Sequence, residues 1–204
     1  LILFFFFSKS RKNFGLRVVF LLVLYSILVN TTLFSNEDLW KYLPAAGRLS
    51  TIVELVLFSA VFFKIIQSKI FKRGMLYLTI VVGAYLIYSF ITSSSGSLDS
   101  VPSGLAALIF FIYCIYYLFE KVKDTSSPFL YDFPEFWIVV AIIIYAAGTF
   151  FPFINAQTYL DSPGFWEDYE LIHSVLYIIR NLLFCVAILV NPKSSKTYYS
   201  SKHG

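Results

Sequence analysis

The stretch LIHSVLYIIRNLLFCVAILV, Leu171 to Val190, is an apolar run of membrane-spanning length with Arg180 at its centre. About 20 residues at 1.5 Å rise cross ~30 Å of hydrocarbon. An Arg at that depth costs about 2.5–3.5 kcal/mol. Each Leu, Ile, Val or Phe contributes about −0.3 to −0.6 kcal/mol, so the run inserts in spite of its charge. On a helix, Glu170, His173, Ser174, Tyr177, Arg180, Asn181 and Cys185 follow a three-four spacing and share one face. Leu171, Ile172, Val175, Ile178, Ile179, Leu182, Val186 and Leu189 form the other. The apolar face suits lipid, and the polar face must meet protein or a water-filled cavity.

The rest of the chain agrees with a membrane reading. Of its 204 residues 58% are hydrophobic, 20% aromatic and 14% charged. A soluble domain carries roughly 25% charged residues. Five further apolar segments of spanning length stand at Leu16–Phe34, Leu49–Ile66, Met75–Thr92, Val101–Phe119 and Pro134–Phe153. None shows the alternation of a barrel strand. The expected fold is all-α, a bundle of six transmembrane helices across residues 16–190. A basic segment, 1–15, precedes it and a short tail, 191–204, follows. LILFFFF opens without an initiator Met, as a fragment or a translated upstream stretch would, and is too short to span.

The connections set an expected topology. Thirteen of the 16 Lys and Arg fall on one set of alternate connections and ends. They are Lys9, Arg11, Lys12, Arg17, Lys64, Lys69, Lys72, Arg73, Lys121, Lys123, Lys193, Lys196 and Lys202. The other set holds only Lys41 and Arg48, and Arg180 lies inside a span. The positive-inside rule then places both termini in the cytoplasm of a cell whose cytoplasmic (inner) membrane holds the chain. A cleaved signal peptide is the alternative for the first span, but no A-x-A-like site follows it. The basic residues sit beside apolar runs, so they are topology signals and not a nucleic-acid surface. No connection is long enough for a soluble catalytic or sensory domain.

Arg180 needs a partner, and Glu54 in TIVELVLFSAVFF is the candidate. The second and sixth spans run in the same direction, and the two residues differ by about four positions, or ~6 Å of depth. One reading is a Glu54–Arg180 pair that sets helix register. Another is a cavity for an anionic or polar ligand, lined by Arg180, Tyr177 and His173. Snorkelling of Arg180, or its contact with a partner's helix, is a third. The candidate intramembrane polar site is therefore Glu54, His173, Tyr177, Arg180 and Asn181.

Other residues suggest structural roles. Tyr77, Tyr85, Tyr88, Tyr113 and Tyr117 suit interhelical hydrogen bonds and interface anchoring better than a wet cavity. Ala141, Ala146, Ala147 and Gly148 allow close helix approach, and Pro152 is expected to kink or end its helix. Trp40, Trp137 and Trp166 lie near span ends. Glu120 reads as a solvated end charge. Asn30-Thr31-Thr32 matches a glycosylation pattern but lies in or beside the first span. Cys114 and Cys185 read as small buried hydrophobes. His173 has only His203 as a second histidine, so no metal or other cofactor is expected. No H-E-x-x-H, aspartate pair or serine nucleophile setting occurs, and the expectation is a protein that is not an enzyme.

FPEFWIVVAIIIYAAGTFFPF, 133–153, and LIHSVLYIIRNLLFCVAIL, 171–189, carry a resemblance. They resemble a group of small bacterial six-span membrane proteins of unassigned function. Its members have a P-x-F-W start, an aromatic-Gly end and a final I-H-x-x-x-x-I-I-[KR]-N-I-L helix. The matching residues are Pro134, Phe136, Trp137, Tyr145, Gly148, Ile172, His173, Ile178, Ile179, Arg180 and Asn181. The resemblance implies a membrane module associated with two-component sensor kinases. No kinase dimerisation helix or ATP-binding domain occurs up to Gly204, so signalling is expected to pass to a separate partner. The partners expected are the bilayer, a membrane protein such as a sensor kinase, and a second copy of the chain. The competing expectation is a small transporter or channel subunit with a polar path along the last helix.

Overall fold

A computed structural model describes residues 13–34, 43–92, 100–123, 129–159 and 164–190. Among these are six α-helices and no strand: α1 (Phe14–Phe34), α2 (Leu43–Ile65), α3 (Lys69–Thr92), α4 (Ser100–Lys123), α5 (Pro134–Tyr159) and α6 (Phe165–Leu189). A short 3-10 turn, Leu130–Asp132, leads into α5. The chain is an all-α, multi-pass membrane bundle. Hydrocarbon leaves backbone N–H and C=O groups no partner but one another, so long apolar runs without alternation close their bonds as helices. Five helices have the length and apolarity to cross a membrane: Ala45–Ile65, Lys69–Thr92, Val101–Lys123, Pro134–Pro152 and Glu167–Leu189. The apolar part of α1, Phe14–Val29, is shorter.

Each helix overruns its apolar segment. α2 begins at Leu43 and not Leu49, α3 at Lys69 and not Met75, α4 runs to Lys123, and α6 begins at Phe165 and not Leu171. Apolarity marks where lipid begins, whereas backbone hydrogen bonding continues into the polar interface. α5 also passes through Pro152 to Tyr159, so Pro152 does not end it. Local chemistry starts several helices. Asn13 Oδ1 accepts from Leu16 N at 3.1 Å and caps α1. Ser68 Oγ accepts from Phe71 N at 3.3 Å before α3. Pro134 opens α5, where its missing N–H costs nothing. Asn30-Thr31-Thr32 lies inside α1. The segments before Asn13 and after Val190, with Trp40, lie outside the described residues.

α5 occupies the centre, packed most closely on α4 and α6 and touching α1, while α2 packs on α1, α3 and α4. The core joins these groups through rings. Phe58 of α2 meets Phe110 of α4 edge-on at 5.3 Å and Phe184 of α6 at 6.5 Å. Gly148 of α5 faces α6 so closely that a Cβ there would lie 2.5 Å from Leu176 side-chain carbons. Ala141 and Ala146 are buried as the close-approach reading expects, but Ala147 is exposed on the opposite side of α5. α3 is peripheral. It buries only Met75, Val82 and Leu86, and presents Leu76, Ile80, Ile87, Tyr77 and Tyr88 outward. So much outward apolar surface suits lipid and not water.

Tyr113 and Tyr117 are buried, unlike the α3 tyrosines. Tyr113 donates to the Met75 carbonyl at 3.0 Å and lies 2.9 Å from Thr79 Oγ1, binding α4 to α3. Trp137 Nε1 donates to the Tyr131 carbonyl at 2.8 Å, tying the 3-10 turn to the start of α5. Glu120 is not a solvated end charge. Its carboxylate accepts from Gln67 N at 2.7 Å and Ser68 N at 2.9 Å, because the α2–α3 turn folds against the end of α4 and offers N–H groups that α3 leaves unpaired.

Candidate functional site

The polar site is built from α2, α5 and α6. Arg180 is 1% exposed, although it is among the largest side chains in the core. Its Nη1 donates to Glu54 Oε1 of α2 at 2.7 Å, and Glu54 is 16% exposed. α2 and α6 are not among the closely packed helix pairs, so this ion pair and the Phe58–Phe184 contact bridge them through side chains. The guanidinium also lies over two rings, with Cζ 4.1 Å from the Tyr145 centroid and 4.6 Å from that of Tyr177. Cation–π contacts reach about 2 kcal/mol when desolvated. With the carboxylate, they account for a cation held at this depth.

A chain of rings leads away from Arg180 along α6. Tyr177, His173 and Tyr169 are four residues apart and stack at 6.4 and 6.1 Å. That spacing puts them one above the other on the helix. Tyr145 Oη lies 3.0 Å from His173 Nε2, so α5 holds the middle of the chain as well as its end. Arg180 Nε is buried and has no hydrogen-bond partner among the described residues.

Glu54, His173, Tyr177 and Arg180 therefore come together. Asn181 is half-buried at the margin and makes no hydrogen bond to them. A step of about 100° per residue carries Asn181 and Ser174 to the edge of the stripe, and Ser174 and Glu170 are exposed. Beyond Arg180 the buried face turns apolar, with Phe184, Ala187 and Ile188. The polar part of α6 is confined to the half that precedes Arg180.

The residue missing from the sequence-derived site is Tyr145, the hub that touches both Arg180 and His173. Its signal was a single ring hydroxyl in IIIYAAG, just before the small residues that let α6 approach. Cys114 is buried, with Sγ 3.6 Å from the Val139 carbonyl, and Cys185 is half-buried; both are free thiols. Among the described residues no cluster of three or more His, Cys, Asp and Glu stands at metal-binding geometry. Comparison with protein-family models, curated proteins and solved structures found no match.

Proposed function

We propose that this chain is a non-enzymatic membrane module, sensory or accessory, that acts through a separate membrane protein. The observation behind this reading is Arg180, pinned to Glu54 by one nitrogen while a second buried N–H has no acceptor among the described residues. An unmade hydrogen bond on a buried charged group costs about 1–3 kcal/mol or more. Such a cost is tolerable where a second arrangement of the group satisfies it. Swinging Arg180 away from Glu54 would uncouple α2 from α5 and α6. α2 runs on to Lys64 at the basic end of the bundle, where a partner would read the change. By the positive-inside rule that end faces the cytoplasm, with both termini, in the cytoplasmic membrane. A sensor kinase, as the resemblance implies, or a second copy of the chain is the partner of this reading.

The ring chain from Tyr169 to Arg180 favours a second reading, a small transporter or channel subunit with a polar path for anions. Two measurements separate them. The full chain in proteoliposomes is assayed for chloride and acetate flux. A photo-crosslinking amino acid at Arg73 or Lys123 then reports neighbours in native membranes. The module predicts no flux above empty liposomes and one discrete crosslinked protein, whose yield changes in Arg180→Gln. Flux that Arg180→Gln abolishes would transfer the assignment to the transporter.

A further inference from the structure

Two basic segments, 64–73 across the α2–α3 turn and 121–123 at the end of α4, are far apart in sequence, yet they meet at one end of the bundle. Glu120 brings them together: its two oxygens hold Gln67 N and Ser68 N at 2.7 and 2.9 Å. The end of α4, which carries Lys121 and Lys123, thereby meets the α2–α3 turn, which Lys64, Lys69, Lys72 and Arg73 flank. Among the described residues none of these six cations has an ion-pair partner. Three rest against rings instead, with Lys72 Nζ 5.4 Å from the Phe63 centroid, Lys121 Nζ 6.0 Å from Tyr117 and Lys123 Nζ 4.2 Å from Phe119. The described carboxylates at this end are otherwise engaged or lie towards α5. Glu120 faces the start of α3, Glu135 accepts from Asn13 Nδ2 at 2.7 Å, and Asp132 is in the 3-10 turn.

Apolar side chains flank the cations. Ile70 is 86% exposed and Val122 72%, with Phe63 and Phe119 about half-exposed beside them. Ile70 and Val122 alternate with the cations at the ends of α3 and α4, and Phe63 and Phe119 lie just inward of Lys64 and Lys121, so charged and apolar groups share one surface at the end of helices of spanning length. Basic surfaces between transmembrane helices at this depth suit anionic lipid head groups. We propose that the surface formed by the α2–α3 turn and the end of α4 binds the head group of an anionic phospholipid, and that Glu120 is the positioning residue that holds its two halves together. This is independent of the polar core around Arg180.

The test uses the full chain purified in a neutral detergent. Binding of dioleoylphosphatidylglycerol, dioleoylphosphatidylcholine and inorganic phosphate is measured by native mass spectrometry, with thermal unfolding of each variant alongside. The proposal expects phosphatidylglycerol to bind preferentially. Each cation near such a surface contributes about fivefold in affinity. Lys69→Gln with Lys72→Gln, or Lys121→Gln with Lys123→Gln, should each weaken binding by about 25-fold, being two such factors. Arg17→Gln lies on α1, which is not closely packed on α3 or α4, and should change binding less than about twofold.

Glu120→Gln is the decisive variant. Removing a negative charge should tighten anion binding if only net charge matters. If Glu120 joins the two halves, binding weakens instead. Equal binding of the two lipids overturns the proposal. So does tighter binding by Glu120→Gln, or a loss in Arg17→Gln as large as in the paired variants. Inorganic phosphate competing as strongly as phosphatidylglycerol overturns the assignment to lipid. The lysine variants change side chains that are exposed (Lys69, Lys123) or half-buried (Lys72, Lys121), and the thermal unfolding measured alongside shows that they are folded, so they decide the matter even if Glu120→Gln unfolds.

Discussion

Neutralising the buried pair one charge at a time separates a packing role for Arg180 from all others. Removing one partner of a buried ion pair costs about 3–5 kcal/mol, because the other charge is left uncompensated. The two single variants should not be equal. Glu54→Gln strands a guanidinium that is 1% exposed, so its loss belongs near the top of that range. Arg180→Gln strands a carboxylate that is 16% exposed and nearer the polar interface, so it relaxes more easily. That variant also forfeits two cation–π contacts, which keeps it near ~3 kcal/mol. The double variant has no stranded charge. Its loss should fall to about 1–2 kcal/mol, the value of the lost ring contacts and hydrogen bond.

Unfolding in bicelles, followed by denaturant titration, gives the four free energies, and folded yield in membranes gives an independent ranking. Neutral interhelical hydrogen bonds in membranes couple by about 0.6 kcal/mol and at most about 1.7. The Glu54–Arg180 coupling should exceed that ceiling, with the double variant more stable than either single. Additive losses would refute the reasoning. Arg180 would then be held by the tyrosine rings, and Glu54 would be incidental.

Tyr145→Phe keeps the ring under Arg180 and removes the hydroxyl 3.0 Å from His173, so it should cost about 0.6–1.7 kcal/mol. Tyr145→Leu should cost up to ~2 kcal/mol more through the lost cation–π contact. The same unfolding titration measures both. Gly148→Val should destabilise by about 1–3 kcal/mol through overlap with Leu176, and Leu176→Ala in the same chain should recover part of that loss in a thermal-unfolding comparison. Tyr113→Phe removes the bond to the Met75 carbonyl and should cost about 0.6 kcal/mol, with its ring contacts intact. Asn181→Ala should stay within about 0.5 kcal/mol of the parent, and a larger loss would show that it belongs to the polar core.

Much of this protein is legible without coordinates. Apolar run length dictates the helices, because hydrocarbon permits a chain almost no other way to satisfy its backbone. Charge alternation dictates which turns share an end. The helical period dictates that His173, Tyr177 and Arg180 share a face, and the depth of Glu54 makes it a candidate partner. Helical periodicity says which side of a helix is special but not which neighbour lies against it. That lateral order is set by shape: Gly148 lets α6 against α5 and so brings Tyr145 under Arg180, a contact no spacing rule contains. Tertiary packing also left Asn181 at the margin, because a narrow three-helix contact covers only the middle of the stripe. It engaged Glu120 with the backbone of the α2–α3 turn, because the end of α4 meets the unpaired N–H groups ahead of α3. The sequence alone thus determined the membrane class and the need to compensate a buried cation. Only the packing decided which side chains compensate it, since that depends on how helices distant in the chain meet.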